Sequence, residues 1–144
     1  MDPQLKFDIL FAMALAYGGF MLLRFWPRLQ AKLLKVPFIA PSALKARLDD
    51  GEDILVIDVR MPHEFNGVLG HIEGALNLQS SQLAEKLATL NDDLEPYKRE
   101  RIVVTCKTNT RSPKAARILY QHGFSKISIL DGGMIKWSRL KTND

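Results

Sequence analysis

A single cysteine lies between a β-branched stretch and a helix-start signal, and its position is where the sequence most clearly indicates chemistry. Residues 102–105 read Ile-Val-Val-Thr and predict a strand, after which Cys106 begins a short polar loop. The loop ends at Ser112 and Pro113, which predict a helix that starts at Pro113 with Ser112 as its cap. Free backbone N–H groups and the positive helix end would favour a thiolate and bind an anion. Cys106 is therefore predicted to be a nucleophile.

The segments around this loop indicate an α/β domain. The apolar run at residues 54–58 predicts a strand buried on both faces, as in parallel sheets covered by helices. Further strands are predicted at residues 75–78, 102–105 and 127–130, and helices at residues 42–48, capped by Ser42, and at 81–90, 113–122 and 134–140. This alternation predicts right-handed crossovers over a mostly parallel sheet. Functional loops of such sheets lie at the carboxyl ends of the strands, where Cys106 falls.

An apolar stretch near the amino terminus predicts a membrane span. Residues 9–23 carry no charge, and with their flanks the segment 5–26 has about 22 residues, or roughly 33 Å of helix. Lys6 and Arg24 at its ends can reach the lipid headgroups. A buried or interfacial helix is the alternative interpretation.

Basic residues after this stretch predict its orientation. The positive-inside rule places the following domain in the cytoplasm, because four cations lie close behind the span: Arg24, Arg28, Lys32 and Lys35. Residues 27–36 are predicted to be a basic juxtamembrane linker, either an amphipathic helix against membrane lipid or a solvated segment. Small residues would let two spans pack closely and are compatible with a homodimer: Ala12, Ala16, Gly18 and Gly19.

Composition limits the remaining classes of function. The net charge of +4 is concentrated behind the span, so no nucleic-acid partner is predicted. One cysteine cannot form an internal disulfide, and a reducing compartment is compatible with that. No metal-ligand spacing and no glycine-rich nucleotide fingerprint occur, so neither a metal nor a cofactor is predicted. The predicted organisation is a span at residues 1–26, the linker 27–36, one domain at 37–140 and a tail at 141–144.

Motifs along residues 37–140 together resemble those of single-domain rhodanese-like sulfurtransferases. They occur in that family's order: Ile-Asp-Val-Arg at 57–60, Glu-Phe at 64–65, Gly-His-Ile at 70–72 with Gly74, Ala75 and Asn77, the loop 106–112, Gly-Phe at 123–124, Leu-Asp-Gly-Gly at 130–133 and Trp137. The resemblance implies a three-layer rhodanese-like α/β fold with a mostly parallel five-stranded sheet, here preceded by one transmembrane helix.

The same resemblance implies an enzyme that transfers sulfur through a persulfide on Cys106. Sulfane sulfur would pass from a small anionic donor such as thiosulfate to a thiol, cyanide or protein acceptor. The residues implied to bind the donor follow the cysteine: Lys107, Thr108, Asn109, Thr110, Arg111 and Ser112. Arg111 could equally be tied to an acid such as Asp58 or Glu64. Supporting roles are predicted for Asp58, which could orient loop groups, and for Arg60, which could pair with Glu64.

Two features of the loop bear on alternative functions. Four residues separate Cys106 from Arg111, whereas cell-cycle phosphatases of similar fold use one more, and this favours sulfur transfer over a phosphatase. Asn109 stands where the family commonly has glycine; asparagine tolerates a left-handed backbone, and its side chain could narrow the pocket. Asn109 and the basic linker also leave open a non-catalytic, membrane-tethered interaction module.

Overall fold

The structure, a computed structural model, describes residues 2–33 and 35–142. Contacts between Cα atoms divide the chain into two compact units, Met1–Lys35 and Val36–Asp144. The first unit contains one helix, and the second contains the sheet and the cysteine loop. Of the predicted tail, residues 141–142 belong to the last helix and residues 143–144 lie outside the described part.

The amino-terminal helix, α1, is Pro3–Leu33. Its segment Pro3–Leu22 is long and apolar enough to cross a membrane. Large apolar side chains are exposed along it, among them Phe7, Leu10 and Met13. The helix continues through Pro27 as far as Leu33, so the backbone of the predicted linker is helical over residues 27–33.

Five parallel strands form the sheet of the second unit: β1 (Phe38–Ile39), β2 (Ile54–Asp58), β3 (Leu76–Asn77), β4 (Arg101–Thr105) and β5 (Lys126–Leu130). Their spatial order is β1-β5-β4-β2-β3. The second unit is thus an α/β domain with a five-stranded parallel sheet, as predicted. The edge strand β1 was not predicted from the sequence, whereas β3, which is equally short, lies within the segment 75–78 that was predicted as a strand.

Six helices and a 3-10 turn connect the strands: α2 (Pro41–Asp49), α3 (Pro62–Phe65), α4 (Leu83–Thr89), α5 (Asn91–Leu94), the turn Glu95–Tyr97, α6 (Ser112–Gln121) and α7 (Gly133–Thr142). The prediction that Ser42 caps the first of them is wrong. That helix begins at Pro41, whose fixed φ suits a first helical position, and the carbonyl of Ala40 accepts the first hydrogen bond from Leu44, 3.0 Å away.

Two apolar cores cover the two faces of the sheet. Ile102 and Val104 pack with α4 and α6 residues such as Leu83 and Leu119, whereas Val103 packs with residues of α2 and α7 on the other face. This alternation follows the two-residue period of a strand. Covering both faces leaves only the two ends of the strands open, and the loops that follow β2 and β4 meet at the carboxyl end.

Candidate active site

Cys106 follows β4 directly, at the carboxyl end of the sheet and between two layers of helices. Its residue is fully buried, and its Sγ donates a hydrogen bond to the carbonyl oxygen of Thr108 at 3.1 Å. This bond requires the thiol form, because a thiolate has no proton to donate. Cys106 thus belongs to the apolar core on one face of the sheet, and its sulfur also contacts the first residues of its own loop.

The amino end of α7 holds the loop by its carbonyl groups. The N–H of Met134 donates to the carbonyl of Cys106 at 2.8 Å, and that of Ile135 donates to the carbonyl of Lys107 at 3.1 Å. In a trans peptide the C=O and N–H point to opposite sides, so the N–H groups of Lys107 and Thr108 face away from α7. Among the described hydrogen bonds, none has a backbone N–H of residues 107–111 as donor. These donors are available to an anion.

Gly133 allows this close approach between α7 and the loop. A Cβ at this position would lie 2.5 Å from the carbonyl oxygen of Cys106 and closer still to that of Thr108. Its φ of +57° also lies in the left-handed region that favours glycine. The sequence motif contained Gly133, but nothing in the sequence indicated that it contacts the cysteine loop.

Helix α6 begins at Ser112, so the prediction that Ser112 caps a helix starting at Pro113 is wrong by one residue. Arg111 holds the cap position, and its carbonyl accepts from the N–H of Ala115 at 3.2 Å. Ser112 is fully buried, and its hydroxyl has no hydrogen-bond partner among the described residues. The positive end of α6 is still directed towards the loop, as predicted from the sequence.

Asn109 does not adopt a left-handed backbone, although asparagine would tolerate one. Among described residues other than glycine, Lys35 alone has a positive φ. The side chain of Asn109 instead accepts a hydrogen bond from the N–H of Gly132 at 3.0 Å and donates to Asp131 at 3.4 Å. The side chain of Asn109 thus links the cysteine loop to the turn before α7. Within the loop, the hydroxyls of Thr108 and Thr110 are hydrogen-bonded to each other at 2.8 Å.

Arg111 pairs with Glu64, which was one of the two acids proposed as its partner. Two hydrogen bonds of 2.7 and 2.9 Å join the guanidinium to both carboxylate oxygens. Glu64 also accepts from the N–H of Met61 at 2.9 Å. The hydrogen bonds from Arg111 lower the pKa of Glu64 to about 2, and those to Glu64 raise the pKa of Arg111. Both groups are therefore charged at neutral pH.

Arg60 does not form the predicted pair with the Glu64 side chain, because Asp58 is its ion-pair partner. Both residues are almost completely buried, and Nη2 of Arg60 lies 2.7 Å from Asp58 Oδ2. Arg60 also donates to the carbonyls of Glu64 at 3.0 Å and Gly70 at 2.7 Å. Asp58 is paired in register with Thr105, so this network fixes the neighbouring loop beside the cysteine. Neither side chain has a described contact with Cys106.

Two residues that the sequence analysis did not assign to the site complete its framework. Asn77 donates to the carbonyls of Asp58 at 3.0 Å and Arg60 at 2.9 Å. His71 stacks on Phe65, with ring centroids 3.8 Å apart, and its Nδ1 lies 3.0 Å from the Phe65 carbonyl.

Within residues 2–33 and 35–142, no group of three or more His, Cys, Asp or Glu residues could hold a metal ion.

Comparisons with known proteins identify the domain that carries this loop. A family model described as a rhodanese-like domain matches residues 40–140. Proteins from Escherichia coli named tRNA uridine(34) hydroxylase are 30% identical over 102 residues, which is 71% of this chain and 28% of theirs. The chain thus spans 28% of the length of these curated relatives.

Solved structures show the same fold. A rhodanese-like domain from Anabaena, 30% identical, superimposes with a TM-score of 0.61 over 72% of this chain and 74% of its own. A thiosulfate sulfurtransferase from Pseudomonas aeruginosa, 23% identical, has a TM-score of 0.62 over 80% of this chain and 22% of its own. At that identity the second likeness concerns the fold alone.

Proposed function

Because the chain belongs to the rhodanese-like domain family, we propose that it is a sulfurtransferase that carries sulfane sulfur on Cys106. The observation that carries this proposal is the loop after β4. There a cysteine precedes backbone N–H groups that donate no hydrogen bond to any described group of the protein. Such donors stabilise an anionic sulfur without adding a charged side chain. The curated hydroxylases match this chain over only 28% of their length. We therefore infer a shared domain from them and do not assign their reaction to this chain.

The proposed reaction has two steps. The Cys106 thiolate attacks the sulfane sulfur of the donor, a new S–S bond forms, and the donor's S–S bond breaks, with its electron pair leaving on sulfite when thiosulfate is the donor. The acceptor then attacks the outer sulfur of the Cys106 persulfide and restores the thiolate. Each step conserves charge, and no external oxidant or reductant is needed.

The other loop residues have supporting roles in this proposal. Lys107, which is exposed, would attract an anionic donor, and Arg111 would bind that donor through the N–H groups that Glu64 does not take. The side chains of Thr108, Asn109, Thr110 and Ser112 would shape the loop around it. Ionisation of Cys106 breaks the hydrogen bond to the Thr108 carbonyl, after which the sulfur can accept from N–H groups instead.

Intact-mass analysis of the full chain in detergent tests the proposal. Since Cys106 is the only cysteine, one donor-dependent gain of about 32 Da reports its persulfide. Removal of the added mass by dithiothreitol distinguishes the persulfide from oxidation of the cysteine to a sulfinic acid or of two methionines. The Cys106→Ser variant must gain nothing. If thiosulfate and cysteine persulfide both leave the wild type unchanged, the non-catalytic interpretation replaces this one.

We also propose that α1 anchors the protein in a membrane with the rhodanese-like domain in the cytoplasm. The support for the anchor is the apolar segment Pro3–Leu22, and the support for the orientation is the group of basic residues that follows it in the sequence. The protein should stay with membranes in alkaline carbonate, and external protease should digest the domain only after intact cells that express the protein are lysed. Release by carbonate would contradict the anchor, and digestion before lysis would contradict the orientation.

A further inference from the structure

Ion pairing around the cysteine loop leaves little positive charge for a donor. Three cations at or beside the loop are each held by a carboxylate, in the pairs Arg60–Asp58, Arg111–Glu64 and Lys136–Asp131, with distances of 2.7 Å in each case. Lys107 is the remaining cation of the loop, and among the described residues no carboxylate lies within ion-pair distance of it. The loop and its partners therefore carry about one uncompensated positive charge.

The pair of Arg111 and Glu64 decides this balance. Its two parallel hydrogen bonds match the planar guanidinium to the planar carboxylate, which is the strongest form of this interaction. The Arg111 and Glu64 side chains are 31% and 23% exposed, so the pair is partly shielded from water. Arg111 can still offer its remaining N–H groups as hydrogen-bond donors, but its charge is cancelled by Glu64.

We infer that Glu64 selects sulfur donors that carry a single negative charge, such as organic persulfides R–S–S⁻, in preference to the thiosulfate dianion. This inference rests on the proposed sulfurtransferase function and concerns the donor of the same site. Lys107 and the loop N–H groups balance one charge. The second charge of thiosulfate would lie against the Arg111–Glu64 pair, which has no net charge. No cation would then offset the free-energy cost of removing water from that second charge.

The transfer balances for such a donor. The Cys106 thiol gives its proton to the outer sulfur of R–S–S⁻, the resulting thiolate Sγ bonds to that same sulfur, and R–S⁻ leaves with the electron pair of the old S–S bond. The products are the Cys106 persulfide and one thiolate, with the same total charge as the reactants.

Two probes that differ mainly by one charge test the inference. Methanethiosulfonate, CH₃SO₂S⁻, and thiosulfate both deliver sulfane sulfur from a sulfonyl group, releasing methanesulfinate and sulfite respectively. Rate constants for persulfidation of Cys106 in the full chain are measured for each and divided by those of free cysteine, which removes the intrinsic reactivities. The normalised ratio of thiosulfonate to thiosulfate should exceed about tenfold, the lower range of electrostatic focusing in clefts.

The decisive variant is Glu64→Gln, which keeps an acceptor for the N–H of Met61 but frees the charge of Arg111. It should raise the thiosulfate rate about tenfold or more and change the thiosulfonate rate less. The matched control is Glu52→Gln, which frees Arg101 from a 2.6 Å pair at the opposite end of the sheet and should leave the ratio unchanged.

A second variant keeps the test valid if Glu64→Gln does not fold. Lys107→Gln removes the uncompensated charge and should slow the methanethiosulfonate reaction about tenfold. Equal normalised rates for both probes, an unchanged ratio in Glu64→Gln, or an unaffected rate in Lys107→Gln would overturn the inference about charge alone. Absence of any adduct on the wild type with both probes and with cysteine persulfide would overturn the sulfurtransferase proposal as well.

Discussion

The two ends of the parallel sheet both carry a glutamate–arginine pair, but in different surroundings. At the amino end Arg101 and Glu52, 2.6 Å apart, have side chains that are 56% and 36% exposed. At the carboxyl end Arg111 and Glu64 are more buried, and the fully enclosed pair Asp58–Arg60 lies beside the same loop. Loss of the exposed pair Arg101–Glu52 should change the free energy of unfolding little, whereas the buried charges of Asp58 and Arg60 each need a charged or hydrogen-bonding partner. The carboxyl end thus uses its polar groups to fix the geometry around Cys106.

The largest expected difference between the ends is in stability after an arginine is removed. Arg60→Met leaves Asp58 buried without its counter-ion and should lower the free energy of unfolding by about 3–5 kcal/mol. Arg101→Met at the exposed end should cost about 1 kcal/mol or less. Urea unfolding followed by tryptophan fluorescence measures both. Equal losses would show that burial does not separate the two ends.

Glycines at the two ends should also differ when a methyl group is added. Gly133→Ala forces a Cβ against the carbonyls of the cysteine loop at a positive φ and should cost about 2–4 kcal/mol. Gly51→Ala, before β2, has a similar φ but nothing within 4 Å, and should cost about 1–2 kcal/mol. Thermal unfolding compares them. Persulfidation of Cys106 should fall only in Gly133→Ala, and a fall in both would contradict a specific contact.

Acid should weaken the carboxyl end through Glu64. Its pKa is lowered from 4.5 to about 2 by Arg111, so the pair stabilises the fold above pH 4.5 and this contribution disappears as the pH falls through about 2. The stability advantage of the wild type over Glu64→Gln should shrink by about 1–2 kcal/mol over that range, after allowance for solvent screening. Urea titrations at several pH values measure it. A constant difference would show that Glu64 is not held by this pair.

The smallest expected effect concerns two exposed asparagines. Asn109→Ala removes the hydrogen bond that Gly132 donates to this side chain. Asn91→Ala removes the one that Lys98 donates, in the segment of the chain before β4. Each should cost about 1 kcal/mol or less. Asn109→Ala alone should slow persulfidation, about two- to tenfold, because the loop is less firmly positioned. Equal rates in both variants would show that the link of Asn109 does not position the loop.

Long, strongly patterned segments could be predicted from the sequence. Runs of apolar residues indicate buried parallel strands, and three strands could be predicted in this way. Strand β2 is found at the predicted residues, and β4 and β5 each begin one residue before the predicted start. Strand β1 and helices α3 and α5 were not predicted, since so few residues show no clear period; β3 is as short as β1 but lies within a predicted four-residue strand.

The composition of the site could be predicted, but its contacts could not. The sequence indicated Cys106 and its loop, and it named Glu64 among the acids that could hold Arg111. It could not show that Arg60 takes Asp58 instead, because that pairing depends on where the chain turns after β2. The sequence showed that Asn109 would tolerate a left-handed backbone, but it could not show that its side chain accepts a hydrogen bond from the N–H of Gly132.

A single-turnover experiment tests the central claim, that Cys106 carries the transferred sulfur, most directly. The full chain is treated with a sulfane donor, separated from it by gel filtration, and then mixed with cyanide. The account predicts that the added mass of about 32 Da disappears and that one equivalent of thiocyanate forms per adduct. Retention of the adduct, or thiocyanate formation by Cys106→Ser at the wild-type rate, would contradict it.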